Sequence, residues 1–400
     1  MQEQAKSHKF FVAAQIGLLL LFPSLTFGML YLRNFSKEEL ISDTIMAGIA
    51  GTVVVYLQFH MMLDHRYGYD NELHWKRFYM ILLGGLVAAL MFPFLPVAGW
   101  PYLIVFILLS MYGNLVSGFV SGTMLLMLSV LLTPGIGFHV FFLYFLSGLL
   151  GVILFNGIDS DFKVEVPIFI TMLFFGVLLM ADIVLFENRS LSGELFIVPV
   201  INILVCFFLL LLVLKTFNTQ VVNPYRGRYL EINDQQHPLL IELKQKSRDT
   251  YMEAIHTVHF AERIADKIGC NVDKVKTAAY YYQIGMLRGE NNWENVKAVI
   301  SENHFPQEAV ELLKECLTHR EAVLHKEAAI VLLSGSVIRV ILTAQRKMPD
   351  KKPDYQKLIS VLFDRKVEAG FLNQCDISIR EFLELKQIFL EENLYYDFLL

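Results

Sequence analysis

The most informative absence in this 400-residue chain is an absence of charge. No Asp, Glu, Lys or Arg occurs between Phe78 and Ile158, although these residue types make up 18% of the whole chain. A transmembrane helix needs about 20 predominantly apolar residues, so this run has room for several such helices. The hydrophobic content of 55% is also too high for an ordinary soluble protein. The sequence therefore predicts a membrane protein, with the lipid bilayer as its first partner.

Cysteine pairs and basic clusters are missing as well. The four cysteines, Cys206, Cys270, Cys316 and Cys375, lie far apart and form no CxxC motif. This spacing indicates neither a zinc knuckle nor a disulfide framework. The formal net charge is -5 and no basic cluster is present, so nucleic acid is not expected as a partner.

Apolar stretches separated by Gly, Pro or charge predict about eight membrane-spanning helices. They fall at roughly 10–32, 43–63, 78–98, 100–114, 116–133, 137–157, 165–186 and 194–216. The region 100–133 allows two interpretations, either two short helices joined by a turn or one long helix with a glycine-rich kink. The distribution of Lys and Arg favours the turn, because eight spans place most of these residues on one side.

Cytoplasmic loops of membrane proteins carry an excess of Lys and Arg, which sets the predicted orientation. The residues that fall on one side with eight spans are Lys6, Lys9, Arg66, Lys76, Arg77, Lys215, Arg226 and Arg228. The sequence thus predicts a multi-pass protein of the plasma membrane with both termini in the cytoplasm.

Ionisable side chains within the predicted spans are His60, His139 and Asp182. Such residues are costly in hydrocarbon and are often functional. Asp182 lies near the predicted outer end of its helix, within reach of water, and His139 begins a span. No paired carboxylates or Arg ladder indicate a pump or a voltage sensor. We expect an anchor or a sensor, with a bundle that binds or moves a small solute or lipid as the alternative.

The composition changes after Lys215 to that of a soluble domain. The boundaries predicted from this change are 1–216 for the membrane bundle, 217–233 for a juxtamembrane connector and 234–400 for a cytoplasmic domain. Apolar residues in the last part recur at helical spacing, and no convincing strand is present. Gly269 is placed to end one helix, and Asn271 or Asp273 to cap the next. The predicted fold class is therefore all-α throughout.

Five stretches of the cytoplasmic part carry a family resemblance, namely "YLEINDQQHPLLIEL", "DTYMEAIHTVHFAERIADKIG", "AAYYYQIG", "KEAAIVLLSGSV" and "VEAGFLNQCDIS". Together they resemble the HD domain of the seven-transmembrane receptor HD family, the membrane-bound bacterial cyclic di-AMP phosphodiesterases. The resemblance covers nearly all of 229–390. It implies two iron or manganese ions, held by His and Asp side chains, and a metal-bound hydroxide that attacks the phosphodiester.

The chain departs from this family at every expected ligand position. The first ligand falls on Glu253, the His-Asp pair on Tyr282 and Gln283, and a later His on Asn292. The remaining positions are Cys316 and Leu317 for a His-His pair and Gly335 for the last Asp. A Tyr-Gln pair can hydrogen-bond or stack but cannot hold a transition-metal pair at a hydrolytic site. We therefore expect a degenerate domain with no catalytic residue, metal or other cofactor.

A ligand pocket without metal is predicted from Tyr281, Tyr282, Gln283 and His256, where an aromatic side chain would stack on a base. The alternative keeps an enzyme by recruiting other ligands, such as His256 and His259 three residues apart on one helix. Further side chains for such a residual phosphodiesterase are His319, His325, Glu253 and Glu262. Three-apart histidines on an amphipathic helix are more often a surface or packed pair than a metal site.

The family also carries a large extracytoplasmic domain between the first two membrane helices, whereas here the gap is only "RNFSKEELIS". With sensor and metal ligands both missing, the sequence predicts a regulator, a scaffold or a nucleotide-binding receptor in cyclic-dinucleotide signalling. The expected partners are a cyclic dinucleotide and a second copy of the chain or an active relative.

Overall fold

The computed structural model describes residues 2–63, 69, 74–156, 164–186, 193–303, 305–347 and 352–399. The chain divides between Val222 and Asn223 into two compact units. Both units are built from helices, and no β-strand occurs in the described ranges. The predicted all-α fold is confirmed.

Within its described residues, the first unit contains eight α-helices. They are α1 (Gln2–Leu32), α2 (Lys37–Leu63), α3 (Trp75–Met91), α4 (Tyr102–Tyr112), α5 (Leu115–Leu131), α6 (Phe138–Phe155), α7 (Glu165–Phe186) and α8 (Ile197–Phe217). Short 3-10 helices at Phe92–Phe94, Val97–Gly99 and Gly193–Phe196 accompany them. The connection between α1 and α2 is only four residues long, so no folded domain is inserted there.

Seven helices of the described chain are long and apolar enough to cross a membrane. Six of them begin in the first unit, which makes this a multi-pass membrane protein. The seventh, Lys326–Lys347, belongs to the second unit, where its apolar residues pack in the core. Length and composition alone cannot separate a span from a helix buried in protein.

Residues 102–131 form two helices joined by a turn, as the distribution of charge predicted. Gly113 ends α4, and Asn114 caps α5 by accepting a hydrogen bond from the Ser117 backbone N–H at 2.8 Å. At about 1.5 Å per residue, the 11 residues of α4 span roughly 16 Å. This is about half of a hydrocarbon core of about 30 Å. The α4–α5 hairpin is therefore held by its neighbours rather than by its own match to lipid.

Close approach of helices accounts for the packing around α4. A Cβ atom at Gly118 on α5 would overlap the backbone of Ser110 on α4. The ring of Phe106 lies between Gly122 of α5 and Gly148 of α6, each without room for a Cβ atom. Lipid gives no hydrophobic drive for helix association, so small residues that allow such contacts stabilise the bundle.

The segment between α3 and α4 is not α-helical, and its carbonyl groups find side-chain donors. Asn202 of α8 donates to the carbonyls of Ala98 and Trp100, at 2.8 and 3.2 Å. Tyr144 of α6 donates to the carbonyl of Val97 at 2.6 Å. Irregular backbone at membrane depth is tolerated only where protein satisfies it. These contacts bind the interruption to the bundle.

Contacts at the helix ends show which ends lie on the same side of the first unit. Arg33, which follows α1, donates to the carbonyl of Leu132 after α5 and lies over the ring of Phe94 at 5.3 Å. His139 at the start of α6 lies 3.7 Å from Asp182 near the end of α7. The ends of α1, α3, α5 and α7 are thus on one side, and α8 returns to the side where α1 begins. That this second side is cytoplasmic stays a prediction, and Arg66 lies outside the described residues.

Ten α-helices are found in the part of the second unit that the structure describes. They are α9 (Asn223–Ile232), α10 (Pro238–Lys246), α11 (Arg248–Ile268), α12 (Val272–Tyr281), α13 (Trp293–Ser301), α14 (Gln307–Thr318), α15 (Lys326–Lys347), α16 (Tyr355–Glu368), α17 (Ile379–Glu391) and α18 (Asn393–Asp397). Of the region predicted as a connector, Asn218–Val222 is a π-helical turn and the following residues form α9.

The helices that carry the site begin and end at recognisable capping residues. Ser247 caps α11, and Gly269 ends it with φ of 75°, a left-handed conformation that favours glycine. Asn271 then caps α12 by accepting from the backbone N–H of Lys274 at 3.1 Å. Both predicted cap positions are confirmed. The tight turn packs α12 against α11, and both pack against α15.

We expect the Gly118→Ala substitution to destabilise the first unit by about 1–3 kcal/mol, the usual cost of overpacking. The measurement is denaturant unfolding of the purified full chain in detergent. Gly84→Ala is the matched control, because no heavy atom lies within 4 Å of a Cβ placed there on α3. Equal effects of the two substitutions would contradict the close packing of α4 and α5.

Candidate functional site

Three helices of the second unit converge on one carboxylate. Glu253 lies in the second turn of α11, Tyr282 is the first residue after α12, and Arg339 is on α15. The side chain of Glu253 is 15% exposed, whereas the Arg339 side chain is 59% exposed. The carboxylate therefore lies inside the unit and the guanidinium covers it from the surface.

A single oxygen of this carboxylate accepts four hydrogen bonds. Glu253 Oε1 accepts from the Tyr282 hydroxyl at 2.9 Å and from Gln283 Nε2 at 2.7 Å. Arg339 donates to the same oxygen from Nε at 3.0 Å and from Nη2 at 2.7 Å. Charge-assisted hydrogen bonds of this kind are among the stronger contacts in a protein. We call Glu253, Tyr282, Gln283 and Arg339 the Glu253 cluster.

Gly335 provides the space that Tyr282 occupies. A Cβ atom at Gly335 would lie 2.6 Å from the Tyr282 hydroxyl oxygen and 3.2 Å from the ring carbon that bears it. Tyr282 itself is 5% exposed. An Asp at position 335, where the family resemblance expects a ligand, is therefore incompatible with a Tyr at position 282 in this conformation. The two departures from the family pattern are complementary in shape.

The Glu253 cluster does not fit a pair of transition-metal ions. Such ions at hydrolytic sites take imidazole and carboxylate ligands, and the cluster offers one carboxylate that already accepts four hydrogen bonds. Burial and the neighbouring Glu253 carboxylate raise the pKa of the Tyr282 hydroxyl, which keeps it a neutral donor. The guanidinium of Arg339 is permanently charged and repels a cation.

The same conclusion holds across the part of the chain that the structure describes. No group of three or more His, Cys, Asp or Glu side chains there is arranged to hold a metal ion. His325 pairs with Glu315, with 2.6 Å between Nδ1 and Oε2, and His319 contacts its neighbour Thr318. The side chains proposed as substitute ligands are thus engaged elsewhere.

The other predicted ligand positions have structural roles. Asn292 caps α13 by accepting from the Asn295 backbone N–H at 2.9 Å. Cys316 is fully buried in α14, where burial raises the pKa of its thiol, and Leu317 packs against the same core. Of the seven positions expected to bear ligands, the structure brings together Glu253, Tyr282, Gln283 and Gly335.

The pocket predicted from four residues is not assembled as one pocket. Tyr281 is fully buried and donates to the carbonyl of Ile232 at 2.7 Å. His256 Nδ1 lies 2.8 Å from the hydroxyl of Tyr395 on α18. Tyr282 and Gln283 belong to the Glu253 cluster instead. Tyr280 and Tyr281 are the last two residues of α12, and Tyr282 follows the helix. The three side chains therefore point in different directions.

His256 and His259 face the short C-terminal helix rather than a metal. The ring of His259 stacks on Tyr395 with centroids 4.1 Å apart. Burial lowers the pKa of both histidines, and each is lowered further by positive charge, from His259 on His256 and from Arg263 on His259. Glu392 and Glu262 act on His259 in the opposite direction.

A cavity of about 140 Å³ opens beside the Glu253 cluster. Its lining comprises Tyr282, Asn291, Arg320, Leu332, Gly335, Ser336, Arg339 and Lys366. Sequence reasoning missed Arg320, Arg339 and Lys366, which come from the α14–α15 loop, α15 and α16. The one available signal was the spacing of Arg339, four residues after Gly335 and thus on the same helix face.

We expect Gly335→Ala to destabilise the second unit by about 1–3 kcal/mol through overlap with Tyr282. The same substitution in a Tyr282→Phe background should cost less, because the overlapping hydroxyl oxygen is absent. A double-mutant cycle of unfolding free energies measures this coupling. Strictly additive effects would show that Gly335 and Tyr282 do not fit together as described.

Lowering the pH from 7.5 to 5 should reduce the stability of the second unit. A histidine whose pKa is lower in the folded state stabilises the fold above its unfolded pKa of about 6.5, and this stabilisation is lost as the pH falls toward the folded value. In His259→Phe, which keeps the stack on Tyr395, unfolding midpoints should depend less on pH. The unsubstituted chain is measured in parallel, and an equal pH dependence of the two proteins would contradict this role of His259.

Comparison with known proteins gives no matching family model. Among curated proteins, the chain is 20% identical over 297 residues to the cyclic-di-AMP phosphodiesterase PgpH of Bacillus subtilis (strain 168), covering 60% of this chain and 41% of that protein. It is 23% identical over 210 residues to PgpH of Listeria monocytogenes serotype 1/2a (strain 10403S), covering 39% and 28%. The matches thus span less than half the length of these curated relatives.

Among solved structures, the chain is similar to the HD domain of L. monocytogenes PgpH. That structure is 22% identical with a TM-score of 0.32, over 39% of this chain and 96% of the other. The same domain in complex with cyclic-di-AMP is 20% identical with a TM-score of 0.33 and the same coverage. The resemblance expected from the motifs is confirmed by the curated relatives: the homologues of this chain are PgpH cyclic-di-AMP phosphodiesterases of the seven-transmembrane receptor HD family.

Proposed function

We propose that this chain is a membrane-anchored regulator in cyclic-dinucleotide signalling whose HD-type domain binds a ligand without hydrolysing it. The observation that carries the proposal is the Glu253 cluster, which occupies the place where the family resemblance expects metal ligands. The named activity of the relatives points to the class of ligand, cyclic-di-AMP. The same activity is not proposed for this chain.

The chemistry of the cluster supports this proposal. Metal-dependent hydrolysis needs a cation that lowers the pKa of a bound water and produces hydroxide near neutral pH. Arg339 supplies positive charge in the cluster, but a guanidinium cannot coordinate water as a Lewis acid. Tyr282 and Gln283 are neutral donors to Glu253. This arrangement therefore favours binding of an anion over activation of a nucleophile.

The membrane unit supports the role of an anchor. Helix α8 ends on the side of the unit where α1 begins, so we infer that the start of α1 and the second unit share the cytoplasm. The four-residue connection between α1 and α2 leaves no folded domain there as an external sensor. We infer that input reaches the protein from the cytoplasmic side or through the bundle.

A protein partner is part of the proposal. Exposed apolar side chains on α17 and α18, namely Ile379, Leu383 and Leu394, support contact with another protein. The partner that we propose is a second copy of the chain or an active relative such as PgpH. The measurements are the mass of the purified chain in detergent and the turnover of PgpH in its presence and absence. A monomer without effect on that turnover would contradict this part of the proposal.

The full chain purified in detergent should contain no stoichiometric iron or manganese and should not hydrolyse cyclic-di-AMP when these metals are added. The reason is that the cluster lacks the imidazole and carboxylate ligands that two cations need. Metal analysis by mass spectrometry and chromatographic detection of hydrolysis products measure both properties. PgpH of Bacillus subtilis, assayed in parallel, is the positive control. Bound metal together with turnover would establish the residual phosphodiesterase instead.

A further inference from the structure

The cavity beside the Glu253 cluster is positively charged. Three of the residues that line it carry a cation, Arg320, Arg339 and Lys366, and the lining residues named above include no Asp or Glu. Ser336 and Asn291 add a hydroxyl and an amide. Lys366 is partly buried, which weakens the screening by water of its repulsion from Arg339, whereas Arg320 and Arg339 are more exposed.

The nearest carboxylates do not fully neutralise this charge. Glu253 engages Arg339 through Nε and Nη2, which are two of the donor positions of a guanidinium that has five N–H groups. Arg320 donates from Nη2 to the backbone carbonyl of Asn291 at 3.0 Å, a neutral acceptor. Both arginines therefore keep donor capacity for an anion in the cavity.

Lys366 is the third cation. Its ammonium nitrogen lies over the ring of Phe371, 4.4 Å from the ring centre, in a cation–π contact that favours its charge. Burial, and then the charge of Arg339, lower the pKa of Lys366, while Glu321 raises it. An anion between Lys366 and Arg339 would reverse the effect of the like charge.

The size of the cavity limits what this anion can be. A water molecule occupies about 30 Å³ in the liquid, so about 140 Å³ holds a few waters or one tetrahedral oxyanion. Pockets that enclose whole drug-sized ligands are about 300–1,000 Å³. Arginine forks match the oxygen geometry of phosphate, and lysine contributes a point charge. A phosphoryl group fits this size and donor set, whereas an entire dinucleotide does not.

We propose that this cavity binds one phosphoryl group of a nucleotide through Arg320, Arg339 and Lys366, without a metal ion. The inference rests on the proposed function and adds the residues that recognise the ligand. In the family that this domain resembles, metal ions supply the positive charge. Here three side chains provide it, and none of them stands at a position where the resemblance expects a metal ligand. The rest of the nucleotide lies outside the cavity.

The test is binding of inorganic phosphate, AMP and cyclic-di-AMP to the metal-free full chain in detergent, by calorimetry at low salt. Adenosine is the probe without a phosphoryl group. We expect all three phosphoryl compounds to bind, phosphate to compete with both nucleotides, and adenosine to bind at least about tenfold more weakly than AMP. Raising the salt concentration should weaken binding, because screening reduces attraction between charges.

Substitution of the cationic side chains locates the site. Lys366→Gln and Arg320→Gln should each weaken binding of AMP and cyclic-di-AMP by about tenfold, as expected for the loss of one charge-assisted contact. Arg365→Gln is the matched control, because Arg365 is the exposed neighbour of Lys366 on α16 and does not line the cavity. It should change affinity by less than about twofold. Arg320 lies in a loop, so its substitution is informative even if Lys366→Gln unfolds the protein.

Three results would overturn the inference. They are unchanged affinity in both variants, binding of adenosine as tight as that of AMP, and binding of phosphate with neither nucleotide. Each is distinct from bound metal with hydrolysis, which would contradict the proposed function, and a chain that binds none of the probes would contradict both proposals. A chain that holds no metal yet binds nucleotide independently of Arg320 and Lys366 would keep the proposed function and lose this site.

Discussion

The carboxylate of Glu253 organises the second unit of this protein. Four donors from three residues meet on one of its oxygens, and these contacts connect α11, the end of α12 and α15. A carboxylate at 15% exposure needs such partners, because an unpaired charge inside a protein is costly. The guanidinium of Arg339 balances the negative charge of Glu253 within the cluster.

Shape reinforces this electrostatic arrangement. The Tyr282 hydroxyl reaches Glu253 only because Gly335 has no side chain. Two positions far apart in sequence are therefore linked through one contact. A Tyr at position 282 and an Asp at position 335 would place two side chains in the same space. The members of the Glu253 cluster fill this space and satisfy one another's hydrogen bonds.

In the membrane unit, the packing of the helices is constrained by how closely they approach one another rather than by charge. Helix α4 is too short to match the bilayer, and its ring at Phe106 lies between two glycines on α5 and α6. The irregular segment before it depends on Asn202 and Tyr144 for hydrogen bonds to its carbonyl groups. Both features need protein neighbours, since lipid provides neither hydrogen bonds nor a reason for helices to approach closely.

The sequence alone determined the class of the protein, its helices and its relatives. Long apolar runs, caps such as Gly269 and ordered motifs are local in the chain, and local patterns are what a sequence displays directly. It also predicted that Glu253, Tyr282, Gln283 and Gly335 stand where the family resemblance expects metal ligands. Only the tertiary structure decided what these residues form together. Glu253 pairs with Arg339, and Arg320 lines the same cavity as Lys366, although these residues are far apart in sequence. Tyr281 and Tyr282 are adjacent but have different partners, Ile232 and Glu253. Such contacts depend on how helices pack, which periodicity within a single helix does not encode.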